Sequence, residues 1–302
     1  MKFLIGYKNA LIRFILSIAF TLLMIIDLQA DEDSFASKDA RTLKKRPLWE
    51  VALGGGAMQM PDYRGAQDSR GYVFPFIYPV YRGNFLRVDD DGVRGMLHET
   101  PTVEFDISLD GAIPVSSDDI DVRAGMPDLD PILQLGPSLR FGLWENSRAS
   151  KSLILNLPIR GVFAIDSGVD QIGYTFSPHF TFYQNFNLID RNWRTGMSAG
   201  LEFGSNEYHD YFYSVSDAFK TPTRPEYDAN GGYAGTRFVI TMQGRTRKSW
   251  ISLFARYDRV DSATFSDSPL VVKNDGVTAG FIVTFFVAQS DKLVEVTELR
   301  KR

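Results

Sequence analysis

Residues Pro131–Ile165 read PILQLGPSLRFGLWENSRASKSLILNLPIRGVFAI. In the first half Leu133, Leu135, Pro137, Leu139, Phe141 and Leu143 alternate with Gln134, Gly136, Ser138, Arg140 and Gly142. In the second, Leu153, Leu155, Leu157, Ile159, Phe163 and Ile165 share one face, with Ser152, Asn156, Arg160 and Ala164 among the residues on the other. A helix would spread each apolar set around its circumference, whereas a strand sends alternate side chains to opposite faces. Both halves are therefore predicted strands, joined by a polar turn. Globular strands run to about 5–6 residues, while a tilted strand crossing a bilayer needs about 9–11, and these two reach the second length.

The same period recurs on either side. Upstream, Trp49–Met58, Tyr72–Arg82, Phe85–Asp89, Val93–His98 and Thr102–Gly111 read as strands. Of these, Thr102–Gly111 is the cleanest, with Val103, Phe105, Ile107 and Leu109 against Glu104, Asp106, Ser108 and Asp110. Pro75 and Pro79 remove ladder donors and predict an irregular second strand. Asp90-Asp91-Gly92 is an Asp-Gly turn that favours a hairpin. Downstream, strands are expected at Tyr174–Phe182, Arg194–Phe203, Arg237–Met242, Ile251–Asp258 and Val277–Phe285. Together these make twelve, predicting one all-β antiparallel transmembrane barrel, with ten to fourteen strands compatible with the pattern.

A β-sandwich also alternates, but its polar face meets bulk water and tolerates Lys freely. Here the polar faces hold Gly, Ser, Thr, Gln, Arg and carboxylates with hardly any Lys, which suits a crowded barrel interior behind a lipid-facing wall of Leu, Phe and Val. Loop lengths agree. With the first strand starting in the periplasm, the four loops longer than ten residues, Gln59–Gly71, Ala112–Asp130, Ser205–Gly231 and Arg259–Asp275, all fall on the outer side.

Composition bounds the rest. The chain has 302 residues, 13% aromatic, with 23 Phe and 13 Tyr, as a sheet-rich protein requires. Cys is absent, so disulfides, thiolate metal sites and cysteine nucleophiles are excluded. Three His (His98, His179, His209) do not make a histidine-rich metal site, and no cofactor is implied. Lys2, Lys8 and Arg13 followed by the apolar Phe14–Ile26 and by Leu28-Gln29-Ala30 read as a signal peptide over 1–30. Its removal leaves 30 basic against 36 acidic residues, a poor balance for nucleic acid. Charged, aperiodic 31–46 is expected to be a flexible periplasmic arm, 47–288 the barrel, and 289–302 a periplasmic tail.

Further pieces form an ordered set: Pro61-Asp62-Tyr63-Arg64-Gly65, Pro79-Val80-Tyr81-Arg82-Gly83-Asn84-Phe85, Leu135-Gly136-Pro137, Tyr211-Phe212-Tyr213-Ser214-Val215, Arg224-Pro225-Glu226-Tyr227, and Arg256-Tyr257-Asp258 followed by Ser266-Asp267-Ser268-Pro269-Leu270-Val271. In their order and spacing from Trp49 to Ser290 the chain resembles the MipA/OmpV family. The resemblance implies an outer-membrane scaffold without catalytic activity. Its partners would be outer-membrane lipid, a lytic transglycosylase and a penicillin-binding protein, coupling cell-wall cleavage to synthesis. A small-solute pore is the alternative function and a lipid-modifying enzyme the third.

The candidate functional residues fall in two groups. Glu104, Asp106, Asp110, Arg140, Arg160, Arg194, Glu202, Arg256 and Asp258 face the interior and form a lumen charge set; either they pair into a plug or they line an aqueous path. The loop motifs supply Tyr63, Arg64, Gly65, Tyr211, Tyr213, Arg224, Tyr227, Asp267, Ser268 and Pro269. Tyr208, Tyr211, Tyr213, Tyr227 and Tyr233 would be a recognition surface or an aromatic girdle. Ser177 and His179 share a face and Asp258 could orient a base, but residues two apart on a strand lie roughly 6–7 Å apart, too far for a nucleophile and its base. Acidic Asp118, Asp119, Asp121, Asp128 and Asp130 lack the spacing of a Ca²⁺ cage.

Overall fold

The computed structural model describes residues 41–89, 92–146, 150–189 and 191–299. The signal segment, the arm as far as residue 40 and the Asp90-Asp91 part of the predicted turn lie outside them. The strands are β1 (Arg41–Pro47), β2 (Trp49–Pro61), β3 (Ser69–Arg82), β4 (Leu86–Asp89), β5 (Gly92–Glu99), β6 (Val103–Ala112), β7 (Ile132–Glu145), β8 (Lys151–Ile165), β9 (Val169–Phe176), β10 (His179–Leu188), β11 (Arg191–Gly204), β12 (Gly232–Arg245), β13 (Ser249–Arg259), β14 (Asp275–Gln289) and β15 (Leu293–Leu299).

From β2 to β14 each strand pairs antiparallel with its neighbours, and β14 pairs back onto β2 from Ala279↔Gln59 to Gln289↔Glu50, closing the sheet. Both β9 and β10 lie between β8 and β11, one above the other, with Ser177-Pro178 between them. They act as one strand interrupted where Pro178 withholds a donor. The ring thus has twelve strands.

Side chains divide as the alternation predicts. On β7, Leu133, Leu135 and Leu139 are 38–41% exposed on the outer face, while Ser138 and Arg140 between them are 5% and 8% exposed. Leu53, Ile159, Phe180, Leu201, Phe238, Leu253 and Phe281 are likewise exposed, whereas Asn156, Thr181, Thr195, Ser252, Thr278 and Thr284 are buried. An exposed apolar belt around a buried polar lumen is the inverse of a soluble core and is stable only in lipid.

Two expectations are corrected. The arm is not wholly irregular: its last part forms β1, which pairs antiparallel with β15 of the C-terminal tail, Lys45 opposite Glu295. The second predicted strand is not irregular either, because β3 holds one unbroken register against β2 from Trp49↔Tyr81 to Pro61↔Ser69. The Arg82 amide donates to Leu48 O, so even residues of β3 point their amides at β2 and odd residues point away. Pro75 and Pro79 are odd, and their missing donors cost the β2 ladder nothing.

Candidate functional site: the polar lumen and its cap

The lumen charges form separate clusters. Nearest the long loops, Asp258 of β13 meets Arg256 Nε at 2.8 Å, Arg237 Nε of the facing β12 at 2.9 Å and Arg64 Nε of the 62–68 loop at 3.3 Å. Arg237 reaches on to Glu202 Oε1 at 3.3 Å, and Glu202 accepts from Ser177 Oγ at 3.0 Å. Arg160 sits 3.9 Å from Asp110 and donates to Ser108 Oγ. Lower down, Glu104 takes Arg94 and Arg140, each at 3.3 Å, while Arg140 also donates to Asn156 Oδ1. Asp106, 1% exposed, is next to both guanidiniums in the register. Arg194 is stacked over the Tyr183 ring at 4.0 Å.

Period two placed these side chains inside but did not supply all their partners. Arg237 and Arg94 were missed, although both lie on strands the alternation identifies. The partner of Asp258 from Arg64 comes through a loop, where no period exists. Near the short turns, Glu50 is clamped by Arg82 and Arg245, each at 2.6 Å, and Tyr78 stacks on Trp250 at 4.1 Å between centroids.

The loop motifs converge on one structure. The loops 62–68, 113–131, 205–231 and 260–274 pack over the mouth with their own apolar core, in which Tyr63, Ile120, Leu129, Tyr213, Val260 and Phe265 are buried. Helix α1 (Asn206–Tyr213) starts where the Ser205 hydroxyl accepts from the Tyr208 amide, satisfying an end donor. It sets Tyr213 flat on Phe265, centroids 3.7 Å apart, with His209 against the same ring. Hydrogen bonds lock the loops to one another: Tyr63 Oη donates to Leu270 O, Tyr213 Oη to Arg64 O, Ser268 Oγ to Tyr213 O, and Arg224 to Val122 O, Ala124 O and Phe219 O. Gly65 has φ 98°, which favours glycine, and its carbonyl accepts from the Val272 and Lys273 amides.

One of those tyrosines is therefore corrected: Tyr213 is neither in a girdle nor on a displayed surface but, with Tyr63, in the interior of the cap. Burial pushes the Tyr63 phenol up to about 12 and raises that of Tyr213 further. Tyr211, also raised to about 12 by burial, donates to Asp130. Tyr227 is partly buried at the cap edge, pairing its backbone with Val215. Pro269 and Asp267 flank the buried Ser268. The acidic loop organises itself: Asp128 accepts from the Ser117 amide, Asp118 from the Gly125 amide, and Asp119 from Arg70.

Ser177, His179 and Asp258 do not assemble into a relay. The Ser177 hydroxyl serves Glu202, His179 Nδ1 lies 2.8 Å from the Ser177 carbonyl oxygen, and three guanidiniums occupy Asp258. Between cap and charge cluster lies a cavity of about 120 Å³ lined by Tyr63, Arg64, Asp110, Gln134, Arg237 and Asp258 among others. A second, of about 160 Å³, lies lower, among Thr181, Tyr183, Arg194 and Gln243.

A closed antiparallel ring with an apolar exterior, an ion-paired interior and a folded cap is a transmembrane β-barrel of the outer-membrane class. The chain belongs to the family described as MltA-interacting protein MipA, whose model matches residues 53–286. Among solved structures it is similar to a bacterial polysaccharide outer membrane secretin, with 7% identity, TM-score 0.40, and coverage of 79% of this chain and 99% of that one. It is also similar to the outer membrane protease OmpT from Escherichia coli, with 9% identity, TM-score 0.28, and coverage of 87% and 100%. A third is the Pseudomonas putida toluene transporter TodX, with 10% identity, TM-score 0.26, and coverage of 84% and 90%. No curated protein matches the sequence.

Proposed function

We propose that this protein is a non-catalytic scaffold in the outer membrane of a Gram-negative bacterium, holding a murein hydrolase of the lytic transglycosylase type together with a penicillin-binding protein. The observation that carries the reading is the family match over residues 53–286, since that family is named for interaction with MltA. The geometry supports it in two ways. Cap and ion pairs obstruct the lumen, which disfavours conduction, and Ser177 and His179 lack the contact that hydrolysis needs. The short-turn end, with the β1–β15 sheet beside it, is the part a periplasmic enzyme reaches.

Affinity capture from detergent-extracted outer membranes tests this. Recovery of a lytic transglycosylase is expected, with recovery falling when Leu293–Leu299 is deleted. Stepwise conductance in planar bilayers, with no cell-wall enzyme recovered, would overturn the scaffold in favour of a small-solute pore.

A further inference from the structure

The barrel wall is not equally paired all round. Among the described residues the ladder between β3 and β4 consists of Tyr81↔Val88 and Arg82↔Arg87, so Ser69–Val80 of β3 has β2 on one side and no strand on the other. That stretch spans roughly 40 Å at about 3.3 Å per residue. Across the gap, β5 pairs with β6 from Glu99↔Glu104 to Arg94↔Ser108, leaving Leu109–Ala112 without a β5 partner. The short β4–β5 hairpin fills the wall near the short turns and leaves a seam above.

Three features distinguish this seam from a simple defect. The amides of odd β3 residues point into it, and two of them, at Pro75 and Pro79, are absent, which removes donors that lipid could not satisfy. Its outer lip is apolar, with Val73 90% and Ile77 65% exposed. At its top the Arg70 guanidinium ties the 113–131 loop to β3 through Asp119 and Asp62, holding the edges in place. The seam also leads somewhere: Asp110, Gly111 and Ala112 on the β6 lip line the cavity under the cap.

We propose that the seam is a lateral portal through which the head of a single-chain amphiphile enters the cavity beneath the cap while its alkyl chain lies along Val73 and Ile77 in the membrane. About 120 Å³, several times the roughly 10–15 Å³ that a single water needs, accommodates a small head. Six carboxylates line the cavity, Asp110, Glu202 and Asp258 among them, with the guanidiniums of Arg64, Arg237 and Arg256; Arg70 and Arg160 pair with Asp62 and Asp110 from just outside it, which leaves a small acidic excess. That balance selects an ammonium-bearing head over an anionic one. The proposal is independent of the scaffold reading, because it concerns the wall and not the periplasmic end.

The test uses the full-length protein in lipid nanodiscs with a nitroxide-labelled hexadecyl dimethylammonium probe, followed by electron spin resonance. An immobilised, saturable component is expected. It should fall at least fivefold in Ala112→Trp, which fills the lip, and in Asp110→Asn, which removes a lining charge. A doxyl-labelled stearate should give no such component. The heat-modified gel shift establishes that each variant is folded, and a folded Ala112→Trp protein retaining the full signal overturns the portal. Absence of any immobilised component in the wild type overturns it too, and equal immobilisation of the stearate overturns the head-group assignment.

Discussion

The two ends of the lumen are closed by different means. At the short-turn end the closure is built from strand residues: Glu50 between Arg82 and Arg245, Tyr78 on Trp250, and Arg245 over the Phe286 ring at 4.3 Å. At the long-loop end it is a small globule of loops around Phe265 and Tyr213, joined to the wall by the Arg64–Asp258 pair. The first closure shares the fate of the hydrogen-bonded ring, since its members cannot move unless the ladder does. The second has its own core and can open while the ring stays intact, so local and global stability should separate.

The sharpest way to break the comparison is Phe265→Ala. This residue is fully buried, and its loss should cost the cap about 3–5 kcal/mol, the ring stack on Tyr213 included. Proteolysis within 205–231 should accelerate while the heat-modified gel shift of the barrel stays in place. If both move together, the cap is not a separate unit.

The converse variant is Glu50→Gln, which leaves two largely buried guanidiniums without their carboxylate. The expected loss is about 3 kcal/mol, at the low end for a broken buried pair because Arg82 and Arg245 keep some water access. Here the gel-shift midpoint should fall and loop proteolysis should be unchanged below it.

Acid and alkali sharpen the contrast further. The Tyr63 phenol is raised from its ordinary 10 to about 12, so its contribution is fully present below pH 10 and is lost as pH rises to 12. Two units amount to about 2–3 kcal/mol. Burial lowers the His209 pKa below 6.5, so its neutral form is the folded one and the cap should also loosen as pH falls below about 6.5. Protease susceptibility of the loops against pH should therefore show a plateau between, with Tyr63→Phe reducing the alkaline limb and leaving the part that belongs to Tyr211 and Tyr213. The smallest effect belongs to Arg87→Ala, whose pair with Glu99 is exposed; thermal stability should change by less than about 1 kcal/mol.

How much of this was legible follows from where each residue sits. Leu133 to Leu143 could be assigned outward and Arg140 inward because a strand allows two directions only. Glu104, Asp258 and Glu202 followed by the same rule. The rule gives a face and no height, which is why Arg237 and Arg94 went unnamed as partners. It also read one strand across Tyr174–Phe182 where Pro178 divides two. The tyrosines of the loops obey no period, and aromatic composition suits a girdle, a binding surface or a buried cap equally.

Local alternation, fixed by the geometry of the extended chain, thus decided the fold class, the strand order, and the split between lipid-facing and lumen-facing side chains. Tertiary structure alone decided that four loops distant in sequence condense over the mouth and that β1 and β15 find each other. It also decided that the register leaves β3 unpaired opposite β6. These depend on how far each strand runs past its neighbour and on contacts between segments up to about 250 residues apart, as from Lys45 to Glu295. No neighbour-to-neighbour pattern in the chain carries that information.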